Sequence, residues 1–131
     1  MPKFNCILLV DDDYINNFLT ERLLRKSNIA REVKAVRNGE EALTYLSEEK
    51  NKFPDLILLD MNMPEMGGIE FLKNFKKMIV DKQSKVILLT GSVHPEEAKT
   101  LEILGYHDLI QKPFSEEKLY QILSRDLARR H

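Results

Sequence analysis

The chain has little of three features that would place it in particular classes of protein. Cys6 is the only cysteine among 131 residues, which excludes an intramolecular disulfide and a zinc site built on a Cys/His cluster. Twenty basic against 21 acidic residues give a formal charge of −1, so no electrostatic excess favours nucleic-acid binding. No apolar run approaches the roughly 20 residues of a membrane span, and the first residues lack a signal-peptide pattern. We therefore expect a cytoplasmic protein that binds neither nucleic acid nor membrane.

The length and the composition are those of one ordinary globular domain. Hydrophobic residues make up 43% of the sequence and charged residues 31%, which is enough apolar material for a core without disulfide or metal support. We expect a single domain over residues 1–131, with its core from about residue 5 to about residue 127 and no output domain.

Short apolar runs that end abruptly in polar residues predict buried strands. The three strongest runs are residues 6–10, 56–59 and 86–89, and weaker strands fit residues 32–36 and 108–110. Because the strong runs are apolar at every position, both faces of each strand should be covered. This pattern is typical of parallel strands inside an α/β sheet.

Apolar residues recur at helical spacing in each segment that follows a strand. The five stripes are Ile15, Phe18, Leu19, Leu23 and Leu24; Ala42, Leu43 and Leu46; Ile69, Leu72, Phe75 and Ile79; Ala98, Leu101 and Leu104; and Leu119, Ile122, Leu123 and Leu127. Asp13 and Ser115 suit helix N-caps, and Gly105 suits a C-cap. Five strand–helix units in a row predict a doubly wound α/β fold with helices on both faces of a parallel sheet.

Five polar residues lie at or just beyond the carboxyl ends of these strands. They are Asp11, Asp12, Asp60, Thr90 and Lys112. In an open α/β sheet these ends meet at one edge, where ligands bind. Each residue alone has a plain structural explanation, such as a helix cap for an aspartate or a solvated surface position for a lysine. The coincidence of all five at one edge favours a functional site.

The residue types at this edge suit phosphoryl chemistry with a bound Mg²⁺ ion. Two carboxylates about 4 Å apart repel by roughly 4 kcal/mol at an effective dielectric of about 20, and a hard divalent cation relieves that repulsion. The Asp60 carboxylate can attack phosphorus and form an acyl phosphate. The Lys112 ammonium would pair with Asp60 and then with phosphoryl oxygens, while Thr90 would donate a hydrogen bond to them. Gly91 leaves room for the phosphate.

Four sequence pieces resemble the receiver domains of response regulators, particularly the single-domain chemotaxis type. They are Leu8-Leu-Val-Asp-Asp12, Asp60-Met-Asn-Met-Pro64 with Gly67-Gly68, Thr90-Gly-Ser92 and Lys112-Pro-Phe114. The resemblance covers the chain from about residue 5 to about residue 127. It implies a flavodoxin-like sheet of five strands in the order 2-1-3-4-5, in a two-component phosphorelay protein that is not an enzyme beyond its own phosphorylation and dephosphorylation.

The resemblance also implies a role for each residue at the strand ends. Asp60 would be the phosphoacceptor, and Thr90 and Lys112 would sense the phosphoryl group. The Mg²⁺ ligands would be Asp11, Asp12, Asp60 and the backbone carbonyl of Asn62. Asn62 and Ser92 would flank the path of attack and tune the lifetime of the acyl phosphate.

The same resemblance predicts the partners and contains one departure. The phosphoryl donor would be a histidine kinase or a histidine phosphotransfer protein, which would meet exposed Asn16, Asn17 and Thr20 of the first helix. The downstream protein is unidentified, and we expect a monomer or a weak dimer. Leu109 lies where the family usually has an aromatic residue that moves with the threonine. We therefore expect that phosphorylation shifts the face formed by the fourth helix, fifth strand and fifth helix less sharply, or changes it by repacking alone.

Three other functions fit parts of the sequence. A Mg²⁺-dependent aspartyl phosphatase resembling haloacid dehalogenases would need a second aspartate two positions after the nucleophile, where this chain has Asn62. A receiver-like interaction module that is never phosphorylated would not need Asp60 together with Lys112. Flavin binding is disfavoured because the acids would repel the cofactor phosphate.

Overall fold

Five strands and five helices alternate along the chain in the computed structural model, which describes residues 3–63, 66–78, 84–91 and 94–130. The elements are β1 (Ile7–Val10), α1 (Tyr14–Lys26), β2 (Val33–Val36), α2 (Gly39–Ser47), β3 (Leu56–Asp60), α3 (Gly68–Lys77), β4 (Lys85–Thr90), α4 (Pro95–Leu104), β5 (Leu109–Gln111) and α5 (Glu116–Arg130). All strand pairs are parallel, in the order β2-β1-β3-β4-β5. The predicted fold and strand order are confirmed.

Alternate residues of the central strands contribute to two separate hydrophobic cores. Ile7 and Leu9 of β1 pack with residues of α1 and α5 on one face of the sheet. Leu8 and Val10 pack with residues of α2, α3 and α4 on the other face. Because each strand must satisfy a core on both sides, every position of β1 is apolar and buried.

The predicted helix ends are confirmed. The Asp13 carboxylate accepts hydrogen bonds from the backbone N–H groups of Ile15 and Asn16, and Ser115 Oγ accepts from the Lys118 N–H at 3.1 Å. Gly105 has the left-handed backbone conformation, with φ of 88°, that a C-cap glycine allows. Ile79 of the third stripe lies outside the described residues. Among the described residues, no helix is long and apolar enough to cross a membrane.

Only the last part of the apolar stripe predicted for α1, Leu23 and Leu24, packs into the core. Ile15, Phe18 and Leu19 of the apolar stripe are exposed, while Leu24 and Asn17 are buried. The expectation that Asn17 is an exposed partner contact is therefore wrong. Its side-chain amide donates to two backbone carbonyls beneath the helix, and this polar contact holds that face of α1 against the sheet.

Candidate functional site

Three aspartates meet at the carboxyl edge of the sheet. Val10 at the end of β1 is in register with Leu59 of β3, so Asp11 and Asp60 follow neighbouring strands at the same level. Asp11, Asp12 and Asp60 each offer a carboxylate oxygen, and these oxygens lie within 4.8 Å of one another. Asp11 and Asp60 are buried, whereas Asp12 is exposed. The parallel register thus creates an acidic cluster that opens to solvent on one side.

Backbone hydrogen bonds fix the orientation of the two buried carboxylates. The Asp13 N–H donates to Asp11 Oδ1 at 2.9 Å, and the Asn62 N–H donates to Asp60 Oδ1 at 3.2 Å. The Asp11 N–H in turn donates to the carbonyl of Val36 at the end of β2, at 3.2 Å. Each carboxylate is therefore held by the loop that follows its own strand.

Lys112 supplies a cation to the same cluster. Its Nζ lies 3.3 Å from Asp60 Oδ1 and 3.8 Å from Asp11 Oδ2. The Lys112 N–H donates to the carbonyl of Thr90 at 2.7 Å, which ties the residue after β5 to the last residue of β4. The peptide bond between Lys112 and Pro113 is cis. Thr90 is buried at the end of β4, one residue beyond Leu89, the register partner of Asp60.

One ammonium group does not neutralise this cluster. Burial is the main cause that raises the pKa of the Asp11 carboxyl from its ordinary value of 3.8 to about 6, and the nearby Asp60 charge contributes to this rise. The Asp13 N–H and Lys112 lower it, but they do not outweigh the loss of hydration. Ionised Asp11 therefore favours an additional cation close by.

The donor set fits a hard divalent cation. Carboxylate oxygens are the ligands that Mg²⁺ prefers, and the exposed Asp12 side of the cluster leaves access for the waters that this ion retains. Asn62, whose carbonyl was predicted as a ligand, is an exposed residue two positions after Asp60. The acidic cluster is thus suited to Mg²⁺.

Open space lies beside the acidic cluster in two places. A Cβ atom built on Gly91, next to Thr90, would meet no atom within 4 Å. A cavity of about 410 Å³ between α1 and α5 opens beside the cluster. Its lining includes Asp11 and Lys112 at the acidic end and Leu19, Leu23, Phe114 and Leu119 along the walls. Pro64 of the matched motif and Ser92, which was predicted to flank the attack path, lie outside the described residues.

The fold and the site together place this chain among the doubly wound α/β domains that carry acids and a lysine at the carboxyl edge of the sheet. Residues 7–124 match the response regulator receiver domain family, and the chain belongs to that family. It is 35% identical over 118 residues to two-component response regulator 24 of Arabidopsis thaliana, covering 90% of this chain and 81% of that protein. It is 32% identical over 121 residues to sporulation initiation phosphotransferase F of Bacillus subtilis, covering 92% of each.

The fold comparison agrees with the sequence comparison. The solved structure of Vibrio cholerae chemotaxis protein CheY4 superposes with a TM-score of 0.79 at 30% identity, covering 92% of this chain and 97% of that chain.

Some relatives are longer proteins. The chain spans 36% of a Trichodesmium erythraeum protein-glutamate methylesterase/protein-glutamine glutaminase at 34% identity, so the activity in that name is not assigned to this chain. The chain is a receiver domain of two-component signalling.

Proposed function

We propose that this receiver domain accepts a phosphoryl group on Asp60 from a phosphohistidine and then signals by binding another protein. The donor is a histidine kinase or a histidine phosphotransfer protein. The observation that supports the proposal is the position of the Asp60 carboxylate, which is buried among two further acids with Lys112 Nζ 3.3 Å from its Oδ1. A nucleophilic oxygen, a cation site and a fixed ammonium thus share one pocket.

The residues divide the transfer between them. An Asp60 carboxylate oxygen forms a bond to phosphorus, while the bond from phosphorus to the donor histidine nitrogen breaks and its electron pair stays on the imidazole. Lys112 exchanges its pairing with Asp60 for the phosphoryl oxygens, and the Thr90 hydroxyl donates to another of them. Asp11, Asp12, Asp60 and the Asn62 carbonyl would hold Mg²⁺. When bound, that ion offsets negative charge on the carboxylates and the phosphoryl oxygens.

The donor meets the apolar surface of α1. We define this surface as Tyr14, Ile15, Phe18 and Leu19, whose exposed fractions are 76%, 65%, 56% and 44%. Four large apolar side chains exposed on one helix, beside the mouth of the acidic pocket, are typical of a protein-binding surface. This set replaces the predicted contact through Asn17, while Asn16 and Thr20 are half-buried at the edge of the cavity.

The downstream protein binds the face formed by α4, β5 and α5, and phosphorylation changes this face. Leu109 of β5 is 44% exposed and lines a cavity of about 470 Å³ that reaches Thr90. No aromatic side chain occupies position 109, so we expect phosphorylation to alter this face by repacking around the cavity. Backbone amide shifts compared with and without a phosphate mimic should change beyond residue 95; unchanged shifts there would contradict this route.

Mass spectrometry after treatment with Mg²⁺ and acetyl phosphate tests the central step. The unaltered protein should gain the mass of one phosphoryl group, and Asp60→Asn should gain nothing. Asp108→Asn is the matched control, because Asp108 is exposed and pairs with Lys85 away from the pocket. No gain in the unaltered protein would favour an interaction module, and sustained phosphate release from small phosphomonoesters would favour an aspartyl phosphatase.

A further inference from the structure

Asn17 is a buried polar residue whose side chain faces the backbone of the acidic loop. It is 8% exposed and lies in the first turns of α1, which begins directly after Asp13. Its Nδ2 donates to the carbonyl of Asp11 at 2.8 Å and to the carbonyl of Val36 at 3.3 Å. The proposed phosphoryl transfer does not itself use this side chain.

These two hydrogen bonds join three elements at the point where the acids begin. The Val36 carbonyl also accepts from the Asp11 N–H at 3.2 Å, so the ends of β1 and β2 are linked both directly and through Asn17. A primary amide carries two N–H groups that point apart, which lets one side chain serve two carbonyls. The peptide that leads from Asp11 to Asp12 is therefore held at its carbonyl by the Asn17 side chain.

We propose that Asn17 is a positioning residue for the cation site, and that it acts by fixing this peptide so that Asp11 and Asp12 face Asp60. The inference rests on the cation site of the proposed function and adds a residue outside the ligand set. Groups that orient metal ligands change metal affinity by about 10- to 100-fold when they are removed. Loss of Asn17 should therefore weaken Mg²⁺ binding by about that factor.

A purely structural role predicts a different result, and the C-cap residue of α1 provides a control for it. Ser27 Oγ donates to the carbonyls of Leu23 and Leu24, at 2.9 Å and 3.3 Å, at the opposite end of the same helix. Ser27→Ala removes a side-chain bond to backbone carbonyls without touching the acidic loop. If Asn17 only stabilises the helix, both substitutions should lower stability and leave Mg²⁺ affinity unchanged.

Calorimetric titration with Mg²⁺, without any phosphoryl donor, separates these outcomes. Asn17→Leu keeps a similar side-chain volume and should bind Mg²⁺ about 10- to 100-fold more weakly, while Ser27→Ala should match the unaltered protein. Equal affinity in Asn17→Leu and the unaltered protein would overturn the inference alone. Absence of Mg²⁺ binding by the unaltered protein would overturn the proposed function together with it.

A measurement on the unaltered protein covers the case in which Asn17→Leu does not fold. During a Mg²⁺ titration followed by NMR, the Asn17 side-chain amide signals should shift along the same saturation curve as the Asp11 and Asp12 backbone amides. The Asn74 side-chain amide is the internal control, because it donates to the Glu70 carbonyl on the exposed side of α3. Asn17 signals that stay fixed while the backbone amides shift would overturn the positioning role.

Discussion

Asp11→Asn should stabilise the metal-free protein, because it removes a charge that the fold accommodates poorly. The pKa of the Asp11 carboxyl is about 6 in the folded protein against an ordinary value of 3.8. That difference corresponds to about 3 kcal/mol at a pH where the group is ionised. Asparagine keeps an oxygen that can accept from the Asp13 N–H, and the attraction of the carboxylate to Lys112 is already included in this pKa. We therefore expect a net gain of about 1–3 kcal/mol near pH 7.

The gain should depend on pH in a defined direction. Between the unfolded and folded pKa values of Asp11 the folded protein binds more protons than the unfolded chain, so its stability falls as pH rises through this window. Above a pH of about 6 Asp11 is ionised in the folded protein as well, so its charge lowers the unfolding free energy by the full amount. The advantage of Asp11→Asn should accordingly be largest near pH 7 and should shrink as the pH is lowered toward 4, where Asp11 of the unaltered protein is protonated.

Urea unfolding with a chelator and with excess Mg²⁺ measures both parts of this prediction. Mg²⁺ should raise the unfolding free energy of the unaltered protein and should do so much less in Asp11→Asn, which has lost one acid of the cluster. Asp108→Asn, at an exposed site, should change stability by no more than about 0.5 kcal/mol. The reasoning is refuted if Asp11→Asn is no more stable than the unaltered protein near pH 7 in the absence of metal.

Three further substitutions test contacts that support the fold. Asp126→Asn should cost about 1–3 kcal/mol in urea unfolding, because the part-buried Lys85 Nζ then loses its 2.7 Å charged partner and keeps only the exposed Asp108 carboxylate; a loss below about 0.5 kcal/mol would contradict this. Gly68→Ala should cost about 1–3 kcal/mol in the same assay, since the added Cβ would lie 2.6 Å from Met61 Sδ, and an unchanged midpoint would refute the clash. Asp13→Ala should cost about 1 kcal/mol by losing the α1 cap; Asp13→Asn, which keeps an acceptor, should retain most of it.

The site could be predicted from the sequence because local patterns mark the end of each strand, and in a parallel sheet these ends lie at one edge. A strand that is apolar at every position and then ends in an acid marks both a buried element and the edge at which it stops. Since parallel strands end at the same edge, Asp11 and Asp60 were expected together, and the register of Val10 with Leu59 brings them together. The strand order came from the family resemblance, because the residues alone leave several orders open.

The orientation of α1 could not be predicted in the same way. Its apolar stripe has helical spacing, and spacing alone assigns such a stripe to the core. The structure instead buries Asn17, whose partners are a carbonyl of the preceding loop and a carbonyl of β2. The second partner is 19 residues away in sequence, so no local pattern records the bond. A hydrogen bond between distant elements thus contributes to an orientation that leaves the first part of the apolar stripe exposed.

The same orientation of α1 links the acidic pocket with the surface proposed for the donor. Turning the helix to bury Ile15 and Phe18 would gain at most about 1.5–3 kcal/mol for each side chain, because both are already partly covered, and it would expose the buried Leu24. The turn would also withdraw Asn17 from the Asp11 carbonyl, at about 1–3 kcal/mol for a buried group left without its donor, whereas the Val36 carbonyl would keep the Asp11 N–H. The two effects are of similar size, so the polar contact can decide the orientation and leave the apolar residues outside. Contacts that hold the acids in place therefore also present an apolar surface beside them, and a donor that covers this surface gains the burial that the isolated fold forgoes.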